Sequence, residues 1–81
     1  MANKVGRPLR VEWEDAWSNG DTWTAQEAQE TKPLIMTLFG YCVRDDKAGI
    51  TLTMEHDPQK KKYRIIWHVP RAMIRKVTVL K

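Results

Sequence analysis

Apolar and polar positions alternate every second residue along most of the chain, beginning with Leu9, Val11 and Trp13 against Arg10, Glu12 and Glu14. A period of two is that of a half-buried strand, so a first strand is expected over about residues 9 to 14. The pattern returns from Leu34 to Arg44, where the run Leu34-Ile35-Met36 resumes after Thr37 as Leu38-Phe39 and then meets Gly40. An interior glycine in a strand marks a bulge or a bend. Ile50, Leu52 and Met54 predict an inward face against Thr51, Thr53 and Glu55. Tyr63, Ile65, Trp67 and Val69 alternate with Lys62, Arg64, Ile66 and His68, which gives a fourth strand with one apolar and one mixed face; Ile74 to Leu80 reads as the fifth.

The segments between have turn chemistry. Ser18-Asn19-Gly20-Asp21 tolerates left-handed backbone and bonds locally. Thr24-Ala25-Gln26-Glu27 matches a capping box, so a short helix is expected after it, stopped before Pro33. Only Ala25 and Ala28 are apolar between residues 24 and 31, which puts that helix on the surface. Asp45 to Gly49 reads as a hairpin connection and His56 to Gln59 as the next turn. Pro70-Arg71-Ala72-Met73 interrupts pairing, because proline has no donor. The expected fold is mainly β: five strands closing into a small barrel, with one short surface helix between strands 1 and 2, since closure removes the edges an open sheet exposes. Trp13, Leu38, Ile50, Leu52, Ile65, Trp67, Val77 and Val79 are its expected core.

At 81 residues the chain has room for one small core, so residues 1–81 are expected as a single domain with 1–8 as a flexible N-terminal tail. A two-domain enzyme does not fit. The single cysteine, Cys42, cannot form an intramolecular disulfide, the first residues lack the apolar stretch of a signal peptide, and no window approaches a membrane span of about 20 apolar residues. These features point to a reducing cytoplasm and away from a membrane. Charge changes the picture further. Residues 1–30 carry three Lys or Arg against six Asp or Glu, a net of −3, and residues 31–81 carry eleven against four, a net of +7. The basic half attracts phosphate and the acidic, Trp-rich first segment repels it.

Candidate chemistry is sparse. His56 and His68 have no further ligand at metal spacing, Cys42 in a strand reads as a small buried hydrophobe, and Asp45-Asp46 in a turn point apart into water. No phosphate-cradling glycine loop is present, and neither catalytic residues nor a cofactor are expected. The strongest surface signal is Lys60-Lys61-Lys62-Tyr63-Arg64, continued by His68, with Arg71, Arg75 and Lys76 extending the basic face if they project to the same side. A second cluster, Glu14, Asp15, Trp17 and Trp23, joins acid to aromatic in the loop after the first strand, either as a protein-binding surface or folded back as a lid.

Gly40-Tyr41, the acidic turn at Asp45-Asp46, Ile50-x-Leu52, the break Val69-Pro70-Arg71-Ala72-Met73 and the closing strand Ile74 to Leu80 resemble the strand two to strand five order of Sm-like and Src-homology-3 type small barrels. With Trp13-Glu14-Asp15-Ala16, the chain also resembles short uncharacterised bacteriophage and prophage proteins. The resemblance implies an SH3-like or Sm-like barrel in a bacterial host cell, and a homo-oligomer built on the edges of strands four and five, where Ile66 and Thr78 would be partly exposed. The Asp-Asn and Arg-Gly steps of RNA-binding Sm-like proteins have no counterpart, since Asp45 is followed by Asp46-Lys47-Ala48-Gly49 and the later step is Pro70-Arg71. Two functions are expected from these readings. One is a phage accessory module that captures nucleic acid or a nucleotide-type ligand on the basic half; the other is an inhibitor that binds a host protein through the acidic-aromatic loop.

Overall fold

The alternating segments fold as neighbouring antiparallel strands of one sheet. The computed structural model describes residues 3–16 and 20–81. The strands are β1 (Pro8–Asp15), β2 (Leu34–Asp46), β3 (Gly49–Asp57), β4 (Lys62–Pro70) and β5 (Ile74–Val79), in the order β4-β3-β2-β1-β5. A single short helix, α1 (Ala25–Gln29), lies between β1 and β2, and a 3₁₀ turn, Arg71–Met73, joins β4 to β5. Thr24 caps α1 as its sequence predicts, accepting from the Glu27 amide at 3.1 Å, and the helix buries no residue. Residues Asn3 to Arg7, expected as a tail, are tied to β2: the Gly6 amide donates to the Cys42 carbonyl and the Cys42 amide to the Arg7 carbonyl, both at 2.9 Å.

Closure is the point on which sequence and structure differ. Among the described residues no ladder joins β4 to β5, so the sheet is open rather than a sealed barrel. The edge strands are nevertheless linked by a turn of only three residues, which draws them together at that end. There the core forms. Leu9 and Val11 of β1, Cys42 of β2, Ile50 and Leu52 of β3 and Val69 of β4 are buried, with Leu38, Ile74, Val77 and Val79 half-buried against the cluster. Two glycines make this packing fit. A methyl at Gly49, whose φ is +148°, would lie 2.1 Å from the Val69 carbonyl oxygen; one at Gly40 would lie 2.9 Å from Leu52 Cβ, so β2 crosses close to β3 there.

Three expected core residues are outside it. Trp67 pairs with buried Leu52 and shares its face, yet it is 49% exposed because none of the described residues covers β4 on that side. Ile65 is 55% exposed and has φ +58°, a left-handed conformation that costs a β-branched residue about 1–3 kcal/mol. It interrupts the β3–β4 ladder between the pairs Thr53↔Ile66 and Glu55↔Arg64, so the strand's simple alternation stops at that residue. Trp13 is half-buried. The outer halves of the two long hairpins extend away from the core, and the molecule measures 55 × 27 × 23 Å with a radius of gyration of 16.1 Å. A compact chain of this length has a radius of about 12 Å. The accessible surface is 6420 Å², against about 5,000 Å² for a folded monomer of this mass.

Candidate functional site

The outer half of the β3–β4 hairpin concentrates the unpaired charge. Asp57 closes its turn by accepting the Gln59 amide at 3.0 Å and the Lys60 amide at 3.2 Å, while Lys61 takes the left-handed conformation at φ +54°. Local bonding of this kind fixes the turn backbone and leaves the side chains of Lys60, Lys61 and Lys62 in solvent. Among the described residues none of the three forms an ion pair. Arg64 faces Glu55 at a loose 3.7 Å with both side chains largely exposed, a pair worth little in water. One rung inward from the lysines, His56 and Tyr63 stack with ring centroids 4.8 Å apart. The buried Thr53 hydroxyl lies 2.8 Å from the carbonyls of Glu55 and Arg64 and holds the two strands where this outer half begins.

A groove opens beside that hairpin. The β2–β3 ladder reaches Tyr41↔Thr53 and goes no further, so β3 continues past residue 53 without ladder bonds to β2. Tyr41, Thr53, Met54, Glu55 and His56 line a cavity of about 340 Å³ in the gap. The sequence does not point to Tyr41, Met54 and His56 as one site, because alternation assigns Met54 inward and turn chemistry places His56 in a turn. Their proximity to the lysine run follows from β3 continuing to Asp57, two residues beyond Glu55.

The other members of the expected basic face are placed apart from this tip. Arg71 sits at the opposite end of β4, where its guanidinium binds Asp45 at 2.5 Å and donates to the carbonyls of Asp46 and Gly49. It is a clasp on the β2–β3 turn. Arg75 pairs with Glu14 at 3.0 Å and also donates to the Ala72 carbonyl. Lys76 lies on β5 across from Glu12, at the far edge of the sheet from β4. His68 stays on β4, its Nδ1 2.8 Å from the Thr51 hydroxyl.

The acidic turn also differs from expectation, because Asp45 does not point into water. Its side chain is 11% exposed and takes the Lys4 amide as well as Arg71. Burial pushes the carboxyl up, but the hydrogen bond and charge of Arg71, with those of Lys4, outweigh it and hold Asp45 below the usual carboxylate value. Asp46 is lowered by its hydrogen bond to Arg44. Cys42 is buried, its thiol is pushed up by desolvation, and its sulfur lies 3.4 Å from the Arg44 carbonyl, which describes a core residue. Of the acidic-aromatic cluster, Glu14 and Asp15 belong to β1, Trp23 is 39% exposed, and Trp17 lies outside the described residues.

Among the described residues no three His, Cys, Asp or Glu side chains come together as a metal site, and no helix is long and apolar enough to cross a membrane. Compared with protein-family models, curated proteins and solved structures, the chain matches none.

Proposed function

We propose that the chain is a non-enzymatic binding module that takes an anionic ligand, nucleic acid or a nucleotide-type molecule, on the outer half of the β3–β4 hairpin. One observation carries this reading: Lys60, Lys61 and Lys62 stand in solvent on a turn fixed by Asp57, without an acidic partner among the described residues. Where Arg71 and Arg75 are committed to Asp45 and Glu14, these three ammonium groups are available to phosphate. Arg64 adds a fourth cation on the same hairpin. Fluorescence anisotropy of a labelled single-stranded oligonucleotide, titrated at several salt concentrations, tests it. Affinity should fall steeply with salt, because each phosphate contact releases counterions. Absence of binding at low salt overturns the reading.

A second reading has its own observation. Leu34, Ile35 and Met36 on the outer half of the β1–β2 hairpin are 41–48% exposed, beside Glu14 and Asp15 and the loop carrying Trp23. That is a surface for a host protein, and a partner retained from lysate after nuclease treatment would favour it over the first reading. Self-association belongs with either. The unpaired edge strand β4 exposes Ile66 at 57% and Trp67 at 49%, and apolar edges of this kind are covered in stable proteins. Sedimentation equilibrium should give a mass above 9.5 kDa, and a strict monomer removes the oligomer.

A further inference from the structure

We infer that the groove between Tyr41 of β2 and the outer half of β3 is a nucleobase site, so that the ligand held by the neighbouring lysines is single-stranded nucleic acid rather than a duplex or a bare polyanion. The inference rests on the anion-binding reading above and adds a second, chemically different half to that site. The cavity of about 340 Å³ is at the small end of ligand clefts, about 300–1,000 Å³. Its lining suits a flat ring: the Tyr41 phenol, the Met54 thioether and the His56 imidazole, whose own stacking on Tyr63 holds it in place.

Its one acidic group disfavours phosphate. Glu55 lines the groove, and its carboxylate, held only loosely by Arg64 at 3.7 Å, repels a phosphate while accepting from the exocyclic amine of a base. The Thr53 hydroxyl is already engaged by two backbone carbonyls, and the Tyr41 hydroxyl lies toward Gly6, so Tyr41 offers the groove its ring. The cations lie just outside. Lys62 lies opposite Asp57 in the ladder, one rung beyond the His56↔Tyr63 pair, so a base in the groove places its backbone toward Lys60, Lys61 and Lys62. Bases stacked inside a duplex cannot enter such a groove; splayed bases of a single strand stack readily on aromatic side chains. Glu55 further favours cytosine, adenine or guanine, whose exocyclic amine offers two N–H donors, over thymine, whose single N3–H is flanked by two carbonyl oxygens that a carboxylate repels.

The test compares oligo-dC, oligo-dT, duplex DNA and inorganic polyphosphate on the full chain. Oligo-dC is expected to bind more tightly than the other three. Tyr41→Ala should weaken oligo-dC about tenfold, the loss of one stacked base, and leave polyphosphate unchanged. Tyr41→Leu, which keeps apolar bulk, should weaken oligo-dC in the same direction with an unaltered circular dichroism spectrum. The Met54 methyl resonance should take a ring-current shift from oligo-dC and none from polyphosphate. Equal binding of all four probes, with both Tyr41 variants unchanged, overturns the base site while the lysine site stands. Failure of every probe to bind removes the lysine site with it.

Discussion

The inner and outer halves of the β3–β4 hairpin belong to the same two strands and the same alternation, yet they have opposite surroundings. On the inner half Ile50, Leu52 and Val69 are buried, and the nearest arginine, Arg71, is clasped by Asp45 and two carbonyls. On the outer half Met54, Tyr63 and Ile65 are 39–55% exposed, and the lysines form no ion pair among the described residues. The boundary is Thr53, 1% exposed and opposite Tyr41, where the ladder to β2 ends. Alternation determines which residues share a face; a neighbouring strand determines whether that face is covered. In this molecule stability resides where β1, β2 and β5 back the hairpin, and the proposed binding surface lies where they do not.

The largest effect is expected at Gly49. A side chain there meets the Val69 carbonyl oxygen and the backbone of Pro70 and Arg71, so Gly49→Ala should cost about 4 kcal/mol or more, read as loss of a cooperative transition in urea. Leu52→Ala comes next, at about 2–5 kcal/mol for emptying a fully buried site. Its outer counterpart, Ile65→Ala, should stay within about 0.5 kcal/mol. Similar losses from the two would erase the distinction between the halves.

Arg71→Ala should cost about 1–3 kcal/mol, because the Asp45 carboxylate and two carbonyls lose their donor. Its pH dependence follows from sign. Asp45 is held below its ordinary 3.8 in the folded chain, so its contribution is complete above that value and is lost as pH falls through the lower folded one. Chemical denaturation from pH 7 down to about 3 should therefore show a shallower acid loss in Arg71→Ala than in the parent. Parallel profiles would remove the clasp as a source of acid sensitivity. The smallest effect on stability is expected from replacing Lys60, Lys61 and Lys62 by glutamate, within about 0.5 kcal/mol, since their side chains support no core.

Five strands, their order along the chain and the capped helix were legible from period-two patterning and from Thr24 with Glu27. Cys42, Ile50 and Leu52 were legible as buried. Trp67 was not, because a period identifies its face without showing that the sheet stays open above it. Ile65 was not, because a left-handed φ in mid-strand has no signature in an isoleucine. The lysine run was plain in the sequence, whereas Arg71 looked like more of the same until the fold placed it on Asp45. Tyr41 was legible only as part of the Gly40-Tyr41 step and His56 only as a turn residue: one sits on β2 and the other on β3, and only the end of their ladder opens the groove between them.

The central claim is that the unpaired lysines bind phosphate. Its most direct test is the slope of log affinity for oligo-dC against log salt in the parent and in single, double and triple Lys60, Lys61 and Lys62 glutamate variants that retain the parent's unfolding transition. The account predicts a slope that shrinks by about 0.7 for each single-strand phosphate contact removed, ending in loss of measurable binding for the triple variant. A triple variant that folds normally and keeps the parent's affinity and slope would contradict it.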